Sequence, residues 1–194
     1  MAQVMAGSDD TSASVASSDA RSSPPDSSAA SGALQVEFYV IGSAAPSARL
    51  TLACRLAEQA YLSDRTALLW LSDPQEQQTL DELLWTFLDG SFVPHEVLTE
   101  ATRTLAPMAA SAATADSAAP VVLSAGIAPA HGFDLLINLA PQLPPCLGQA
   151  RRVAEIVDGD ESRRRAARAR FKAYRELGVQ PATQNLRDDP QPLR

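Results

Sequence analysis

Seven of the 16 basic residues in this chain lie within one fourteen-residue segment, residues 162–175, although the protein has a net charge of −7. Helical winding at about 100° per residue places Arg164, Arg168, Phe171, Lys172 and Arg175 within a sector of about 100°. An aromatic ring framed by cations suits an acidic peptide that ends in an apolar side chain, or a nucleic-acid backbone with a stacked base. A solvated surface helix is the alternative interpretation of such a charge run. A small apolar stripe of Ala166, Ala173 and Leu177 is predicted to point the other way.

A second segment concentrates aromatic side chains in a chain whose aromatic content is only 5%. Trp85, Phe87 and Phe92 fall within eight residues, at the predicted end of a helix and in a loop that contains Pro94. Core packing is the simplest explanation of such a cluster. A helix end and a proline loop cannot easily bury all three rings, however, and exposed aromatic clusters are typical of protein–protein hot spots.

Neither the carboxylates nor the histidines of the sequence form a recognisable reactive site. Asp81 and Glu82 are adjacent and therefore diverge on a helix, so we interpret the acidic positions around them as a solvated face and predict no metal site. His95 and His131 lie in predicted loops without a nucleophile motif. We therefore expect no catalytic residue and favour a binding protein over an enzyme.

The turn after the first predicted strand, residues 42–47, lacks both the glycine fingerprint of dinucleotide-binding proteins and a phosphate-binding lysine. Lys172 is the only lysine in the sequence. We therefore predict that the chain binds neither ATP nor NAD, and we expect no cofactor.

Bulk composition favours an ordinary globular protein, since 45% of the 194 residues are hydrophobic. Cys54 and Cys146 are far apart in sequence, which fits a reducing cytoplasm better than a disulfide framework. No apolar run approaches the roughly 20 residues that span a bilayer, and the first residues do not resemble a signal peptide. The expected location is the cytoplasm, without membrane contact.

Alternating strands and helices predict an α/β fold: a Rossmann-like, doubly wound, mostly parallel sheet flanked by helices. Residues 1–33 are rich in Ser, Ala and Asp and are predicted to be a disordered extension. Residues 34–186 are predicted to form the folded domain, with residues 101–119 as a loop insertion and residues 187–194 as a frayed tail. The predicted strands are Val36–Ile41, Arg65–Leu71, Val121–Leu123, Phe133–Leu139 and Arg151–Val157, and the predicted helices begin near Pro46, Ser72 and Ser162.

Two separate segments resemble the chi subunit of bacterial DNA polymerase III. The family pattern L-D-E-x-L-W-x-x-x-x-x-S-F-V-P-H is matched by Leu80, Asp81, Glu82, Leu84, Trp85, Ser91, Phe92, Val93, Pro94 and His95. The pattern R-x-R-[YF]-K-x-Y-R is matched by Arg168, Arg170, Phe171, Lys172, Tyr174 and Arg175. The resemblance covers about residues 34–186 and leaves the N-terminal extension and residues 101–119 outside it.

The resemblance implies a small protein without catalytic activity that is a component of the replicative DNA polymerase complex. Members of the family form a heterodimer with the psi subunit, through which they reach the clamp loader. They also bind the acidic C-terminal tail of the single-stranded-DNA-binding protein, which ends in Pro-Phe with a free carboxylate. Nucleic acid is then contacted mainly indirectly.

The resemblance also assigns residues to the two partners. Arg168, Phe171 and Lys172 match the tail-binding residues of the family, and Arg164 matches a contributing cation. The family often has Tyr at this position. Phe171 lacks the hydroxyl of that Tyr and keeps the aromatic ring. We add Arg175, which lies on the same predicted face and belongs to the rim or to the core. Trp85, Phe92 and Val93 match the segment that we assign to the psi interface.

Three other functions remain open at this point. The basic helix could bind single-stranded nucleic acid directly, although the net charge of −7 counts against this. A nucleotide-dependent enzyme on the same fold is disfavoured by the missing phosphate loop. Chi-like proteins also pair with a DNA-repair helicase, which would compete with psi for the surface between Trp85 and Phe92.

Overall fold

A computed structural model describes residues 33–100 and 119–186 of the chain. Seven strands and three helices lie in these ranges: β1 (Gln35–Ile41), α1 (Pro46–Leu62), β2 (Ala67–Leu71), α2 (Pro74–Thr86), β3 (His95–Leu98), β4 (Val121–Ala125), β5 (Phe133–Asn138), β6 (Ala150–Val157), α3 (Glu161–Glu176) and β7 (Ala182–Leu186). A single 3₁₀ turn, Leu147–Gln149, precedes β6. Most of the predicted extension, loop insertion and tail, at residues 1–32, 101–118 and 187–194, fall outside the described residues.

The strands form one sheet in the order β3-β4-β2-β5-β6-β1-β7. Every neighbouring pair is parallel. Parallel strands need crossover connections, and here α1, α2 and α3 follow β1, β2 and β6. The predicted doubly wound α/β fold is therefore confirmed.

The core is divided by the sheet into two layers. Strand β2 shows why, because all five of its residues are buried. Ala67, Leu69 and Leu71 belong to the cluster that includes residues of α1 and α2. Leu68 and Trp70 belong to the cluster that includes Ala167 and Tyr174 of α3. Successive side chains of a strand point to opposite faces, so an apolar run of this kind specifies a strand covered on both sides. Helices α1 and α2 therefore cover one face of the sheet and α3 covers the other.

Strand β7 was not predicted from the sequence, and it pairs with β1 at the edge of the sheet. Its sequence, Ala182–Leu186, has no apolar alternation, because four of the five side chains are exposed. An edge strand that is solvated on both faces gives no hydrophobic period to detect. Strand β3 was not predicted either: His95, which was expected in a loop, is its first residue, and residues 92–94 before it are coil.

The loops after β1 and β6 meet at the point where the crossovers diverge to opposite faces. Gly159 donates its N–H to the carbonyl of Ser43 at 2.8 Å. The preceding residue, Asp158, has a fully buried carboxylate, whose two oxygens accept hydrogen bonds from Nε of Arg163 at 2.8 and 2.9 Å. Doubly wound proteins bind nucleotides at such a switch point when the crevice is open. In this chain the two loops contact each other there, and Asp160 and Glu161 place negative charge where a phosphate would bind.

We expect Gly159→Ala to lower the free energy of unfolding by about 1–3 kcal/mol. A Cβ atom at this position would lie 2.8 Å from the carbonyl oxygen of Gly42 and 2.9 Å from the amide nitrogen of Ala44. Both are backbone atoms, so a loop must shift. Gly148→Ala is the matched control, because a Cβ there has no atom within 4 Å. Urea unfolding of both variants checks the prediction, and equal stabilities would show that the two loops do not touch as described.

Candidate interaction surfaces

Helix α3 is fixed at its start by Asp160, whose side chain caps the helix. The carboxylate accepts hydrogen bonds from the hydroxyl of Ser162 at 2.5 Å and from the backbone N–H of Arg163 at 2.9 Å. These two donations lower the pKa of Asp160. Glu161 in the first turn and Arg175 in the last turn both complement the helix dipole. The cap and the charges together let a segment this rich in like charge form a regular helix.

The buried side of α3 consists of Ala167, Arg170 and Tyr174, which corrects the predicted stripe of Ala166, Ala173 and Leu177. Leu177 is exposed at the end of the helix. The orientation is rotated because Arg170 and Tyr174 both reach Glu155 of β6, a fully buried carboxylate. Polar side chains thus decide which face of the helix is buried, and a hydrophobic pattern cannot reveal this.

Glu155 is satisfied entirely by protein groups. It accepts from Nε of Arg170 at 2.8 Å, from the hydroxyl of Tyr174 at 2.8 Å and from the amide of Asn138 at 3.0 Å. Arg170 also donates to the carbonyl of Pro141 at 2.9 Å. Burial raises the pKa of the Glu155 carboxyl, against the opposing effect of the Arg170 charge and the three hydrogen bonds. The network anchors α3 to β5 and β6.

Phe171 lies at the border between the buried and the exposed sides of α3. Its ring is half-buried, and its centroid is 5.3 Å from that of Phe38 on β1, with a tilt of 60°. This is a normal separation for an aromatic pair. The ring is therefore held in place by the sheet while part of it remains accessible.

The predicted cations near this ring differ in their exposure and in their partners. The side chains of Arg168 and Lys172 are 68% and 81% exposed, and among residues 33–100 and 119–186 each pairs with one acid on the same helix. Arg168 lies 3.2 Å from Glu161, and Lys172 lies 3.6 Å from Glu176. Exposed pairs of this kind contribute at most about 1 kcal/mol and are readily exchanged for another anion.

Arg164 and Arg175 complete the set in two different ways. Arg164 is half-buried and donates from Nε to the carbonyl of Asp158 at 3.0 Å, while Arg175 is exposed in the last turn. We call Arg164, Arg168, Phe171, Lys172 and Arg175 the basic surface. A peptide that combines carboxylates with one apolar ring is the ligand that this arrangement fits chemically.

The aromatic segment after α2 is partly exposed, as expected for a binding surface. The Trp85 and Phe92 side chains are 49% and 61% exposed, and their ring centroids are 5.2 Å apart. Val93 is fully buried in the cluster beneath α1 and α2, so it supports the segment from below and cannot contact a partner. Phe87 is half-buried against the same cluster. Core packing thus accounts for Phe87 and Val93, while Trp85 and Phe92 remain accessible.

Residues 91–95 are held in position by three side chains of the matched motif. The side chain of His95 is buried, with Nδ1 2.7 Å from the carbonyl of Val93 and Nε2 3.0 Å from the carboxylate of Asp81 on α2. The His95 ring also contacts Trp85, with the ring centroids 4.7 Å apart and the planes tilted by 49°. Ser91 donates its hydroxyl to Glu58 of α1. Asp81 and His95, which offered no chemistry in the sequence, are therefore structural contacts of this segment.

Two exposed leucines that the sequence analysis missed extend this region. Leu88 is linked to the segment because its carbonyl accepts the backbone N–H of Ser91 at 3.1 Å. Leu62 lies one helical turn after Glu58, on the same side of α1. We call Leu62, Trp85, Leu88 and Phe92 the aromatic surface. The position of each leucine at a helix end, next to turn residues, was the only sequence signal for its exposure.

Within residues 33–100 and 119–186, no group of three or more His, Cys, Asp or Glu side chains is placed to hold a metal ion. Within the same ranges no helix has the length and apolar content to span a membrane.

Comparison with known proteins gives concordant matches in sequence. The family model of the DNA polymerase III chi subunit matches residues 34–182. The DNA polymerase III subunit chi of Pseudomonas aeruginosa is 41% identical over 144 residues, which are 74% of this chain and 91% of that protein. The subunit chi of Escherichia coli is 30% identical over 127 residues, which are 66% of this chain and 78% of that protein.

Solved structures with the same fold are distant in sequence. T4 UvsW superimposes with a TM-score of 0.54 at 8% identity, over 78% of this chain and 42% of that one. Saccharomyces cerevisiae Dbp5 superimposes with a TM-score of 0.53 at 12% identity, over 79% of this chain and 42% of that one. This chain thus matches less than half of either protein, and at these identities the likeness concerns the fold alone.

Proposed function

The chain belongs to the family of DNA polymerase III chi subunits, accessory subunits in DNA replication, and from this premise we propose that it is a non-catalytic adaptor with two binding surfaces. The basic surface binds the acidic C-terminal tail of the single-stranded-DNA-binding protein. The aromatic surface binds the psi subunit, which connects the chain to the clamp loader in the cytoplasm. The adaptor thereby links the replicative polymerase to coated single-stranded template.

The observation that supports tail binding best is the half-buried ring of Phe171 beside two exposed cations, Arg168 and Lys172. In the described part of the chain, the acids that pair with these cations are themselves exposed. Arg168 and Lys172 can exchange Glu161 and Glu176 for the carboxylates of a peptide at little cost, since both partners are already solvated. Arginine binds a carboxylate through two parallel N–H donors, which suits a chain-terminal carboxylate. Phe171 offers apolar area to a terminal Phe ring.

The test of this function compares two peptides that differ by one charge. An acidic peptide ending in Asp-Ile-Pro-Phe with a free carboxylate should bind in fluorescence anisotropy with a micromolar dissociation constant. The same peptide with an amidated end should bind much more weakly, because the terminal carboxylate is lost. Equal or absent binding of both peptides, together with salt-sensitive binding of single-stranded DNA, would instead support direct nucleic-acid recognition.

Phe92→Ala is expected to weaken psi binding by about tenfold or more, as truncation of an exposed aromatic anchor does. The Phe92 side chain is 61% exposed, so the variant should remain folded and should still bind the acidic peptide. Titration calorimetry with the psi subunit measures the loss. Val93→Ala serves as the contrast, because Val93 is fully buried and its truncation should reduce stability rather than contact area. A Phe92→Ala variant that unfolds would contradict the assignment of this ring to the surface.

A further inference from the structure

The aromatic surface lies in the most one-sidedly charged part of the chain. Residues 66–100 contain no Lys or Arg and seven acidic residues: Asp73, Glu76, Asp81, Glu82, Asp89, Glu96 and Glu100. A stretch of this length with one sign of charge gives a field that extends beyond single contacts.

Two of these acids lie beside the accessible side chains of the aromatic surface. Glu82 is exposed one turn before Trp85 on α2, and Asp89 is exposed next to Leu88. Glu96 on β3 is also exposed, but its side chain points to the other face of the sheet, because its register partner Val122 belongs to the cluster under α3. Asp81 differs from them, because His95 lies 3.0 Å from its carboxylate. On the other side of the surface, next to Leu62, the adjacent pair Asp64 and Arg65 is balanced in charge.

The opposite face of the sheet has the opposite charge. Helix α3 contains seven Lys and Arg residues against two glutamates, Glu161 and Glu176. It packs on the layer of the core that faces away from α1 and α2. The chain is thus electrically polarised across its sheet, negative beside the aromatic surface and positive at the basic surface.

From this arrangement we propose that the aromatic surface takes a cationic partner segment, in which apolar side chains are flanked by Lys or Arg on the side that meets α2 and the loop after it. This inference rests on the proposed function and specifies the docking segment of the psi subunit. Apolar contacts with Trp85, Leu88 and Phe92 hold the complex together. Glu82 and Asp89 accelerate its formation, because rim charges act mainly on the association rate. The same acids repel an acidic tail and nucleic acid, so each ligand is directed to its own face.

The test measures association of the full chain with the psi subunit by stopped-flow fluorescence over a range of salt concentrations. The double variant Glu82→Gln and Asp89→Gln should associate about three- to tenfold more slowly at low salt, with a shallower salt dependence and an almost unchanged dissociation rate. Gln at position 82 can still accept the hydrogen bond that the amide of Gln78 donates at 3.3 Å. The matched control is Glu161→Gln with Glu176→Gln, which makes the same change of two charges on the opposite face and should leave psi association unchanged.

The outcomes separate this inference from the function on which it rests. If the wild type binds psi and Phe92→Ala weakens that binding, but the acid-neutralised variant associates as fast as the wild type or faster, the inference is overturned and the proposed function stands. If the wild type does not bind psi at all, the proposed function of this surface fails, and the inference fails with it. If the Glu82→Gln and Asp89→Gln double variant associates more slowly and the Glu161→Gln and Glu176→Gln control does not, the inference is supported.

Discussion

Replacing Arg170 with alanine should lower the free energy of unfolding by about 3–5 kcal/mol near neutral pH, because it leaves a buried carboxylate without its cation. Glu155 is fully buried, and Arg170 is the cation that contacts it, through Nε and Nη2 at 2.8 Å each. Tyr174 and Asn138 still donate hydrogen bonds in the variant, but neither brings a positive charge. Urea unfolding followed by circular dichroism measures the loss.

The loss caused by Arg170→Ala should depend on pH in a defined direction. Burial already raises the pKa of Glu155 in the wild type, and removing the Arg170 charge removes the largest opposing cause. A carboxyl group whose folded-state pKa is raised stabilises the fold when protonated, and this stability is lost as the pH rises through that pKa. The variant should therefore approach the wild type in mildly acidic buffer and differ most above neutral pH.

Arg168→Ala is the matched control for Arg170→Ala. Arg168 lies two residues away on the same helix, but its side chain is 68% exposed and pairs with Glu161, which is also exposed. Its truncation should change stability by less than about 0.5 kcal/mol. A similar loss of unfolding free energy in both variants would contradict the buried ion pair. It would indicate that removing an arginine anywhere on α3 destabilises the fold to the same extent.

Arg168→Glu should reduce affinity for the free-carboxylate peptide by at least about thirtyfold, or ~2 kcal/mol, since it replaces a donor to carboxylates with a group that repels them. The new carboxylate would lie one turn from Phe171 and Lys172, where the proposed ligand presents its own negative charge. Lys172→Glu should act in the same way. Fluorescence anisotropy with the acidic peptide measures both variants.

The controls for Arg168→Glu separate the site from the fold. Arg65→Glu makes the same charge reversal at an exposed position beyond the end of α1, on the other face of the sheet, and should leave peptide binding unchanged. Binding of the psi subunit should survive Arg168→Glu, because the aromatic surface is formed by α1, α2 and the loop before β3. Loss of both partners together would show that Arg168 is needed for folding, and the assignment of the basic surface would then be wrong.

The elements that the sequence predicted well are those with a strong hydrophobic signal. Strand β2 was recognisable because a continuous apolar run fits a strand covered on both faces, and its five residues are all buried. Helix α1 was recognisable from Pro46 and the helical spacing of its small apolar residues. Strand β7 gave no such signal, because its polar side chains face solvent and only its backbone pairs with β1.

The candidate surfaces were predictable in composition and less so in detail. Charge density selected α3, and aromatic density selected the segment around Phe92. The burial of Val93 and the contacts of Asp81 and His95 depend on how that segment lies against α2. A local pattern does not contain that information, since α2 and β3 are brought together only by the sheet.

The sequence by itself determined the class of fold, the family and the two segments that differ most from an ordinary surface, because hydrophobic period, motif spacing and charge density are local properties of a chain. The tertiary structure alone decided which side of α3 faces outward. The buried carboxylate of Glu155 on β6 draws Arg170 and Tyr174 inward, and this leaves Arg168 and Lys172 in solvent beside Phe171. Such a choice requires groups 15 to 19 residues apart in sequence to meet, and only the packed sheet places them together.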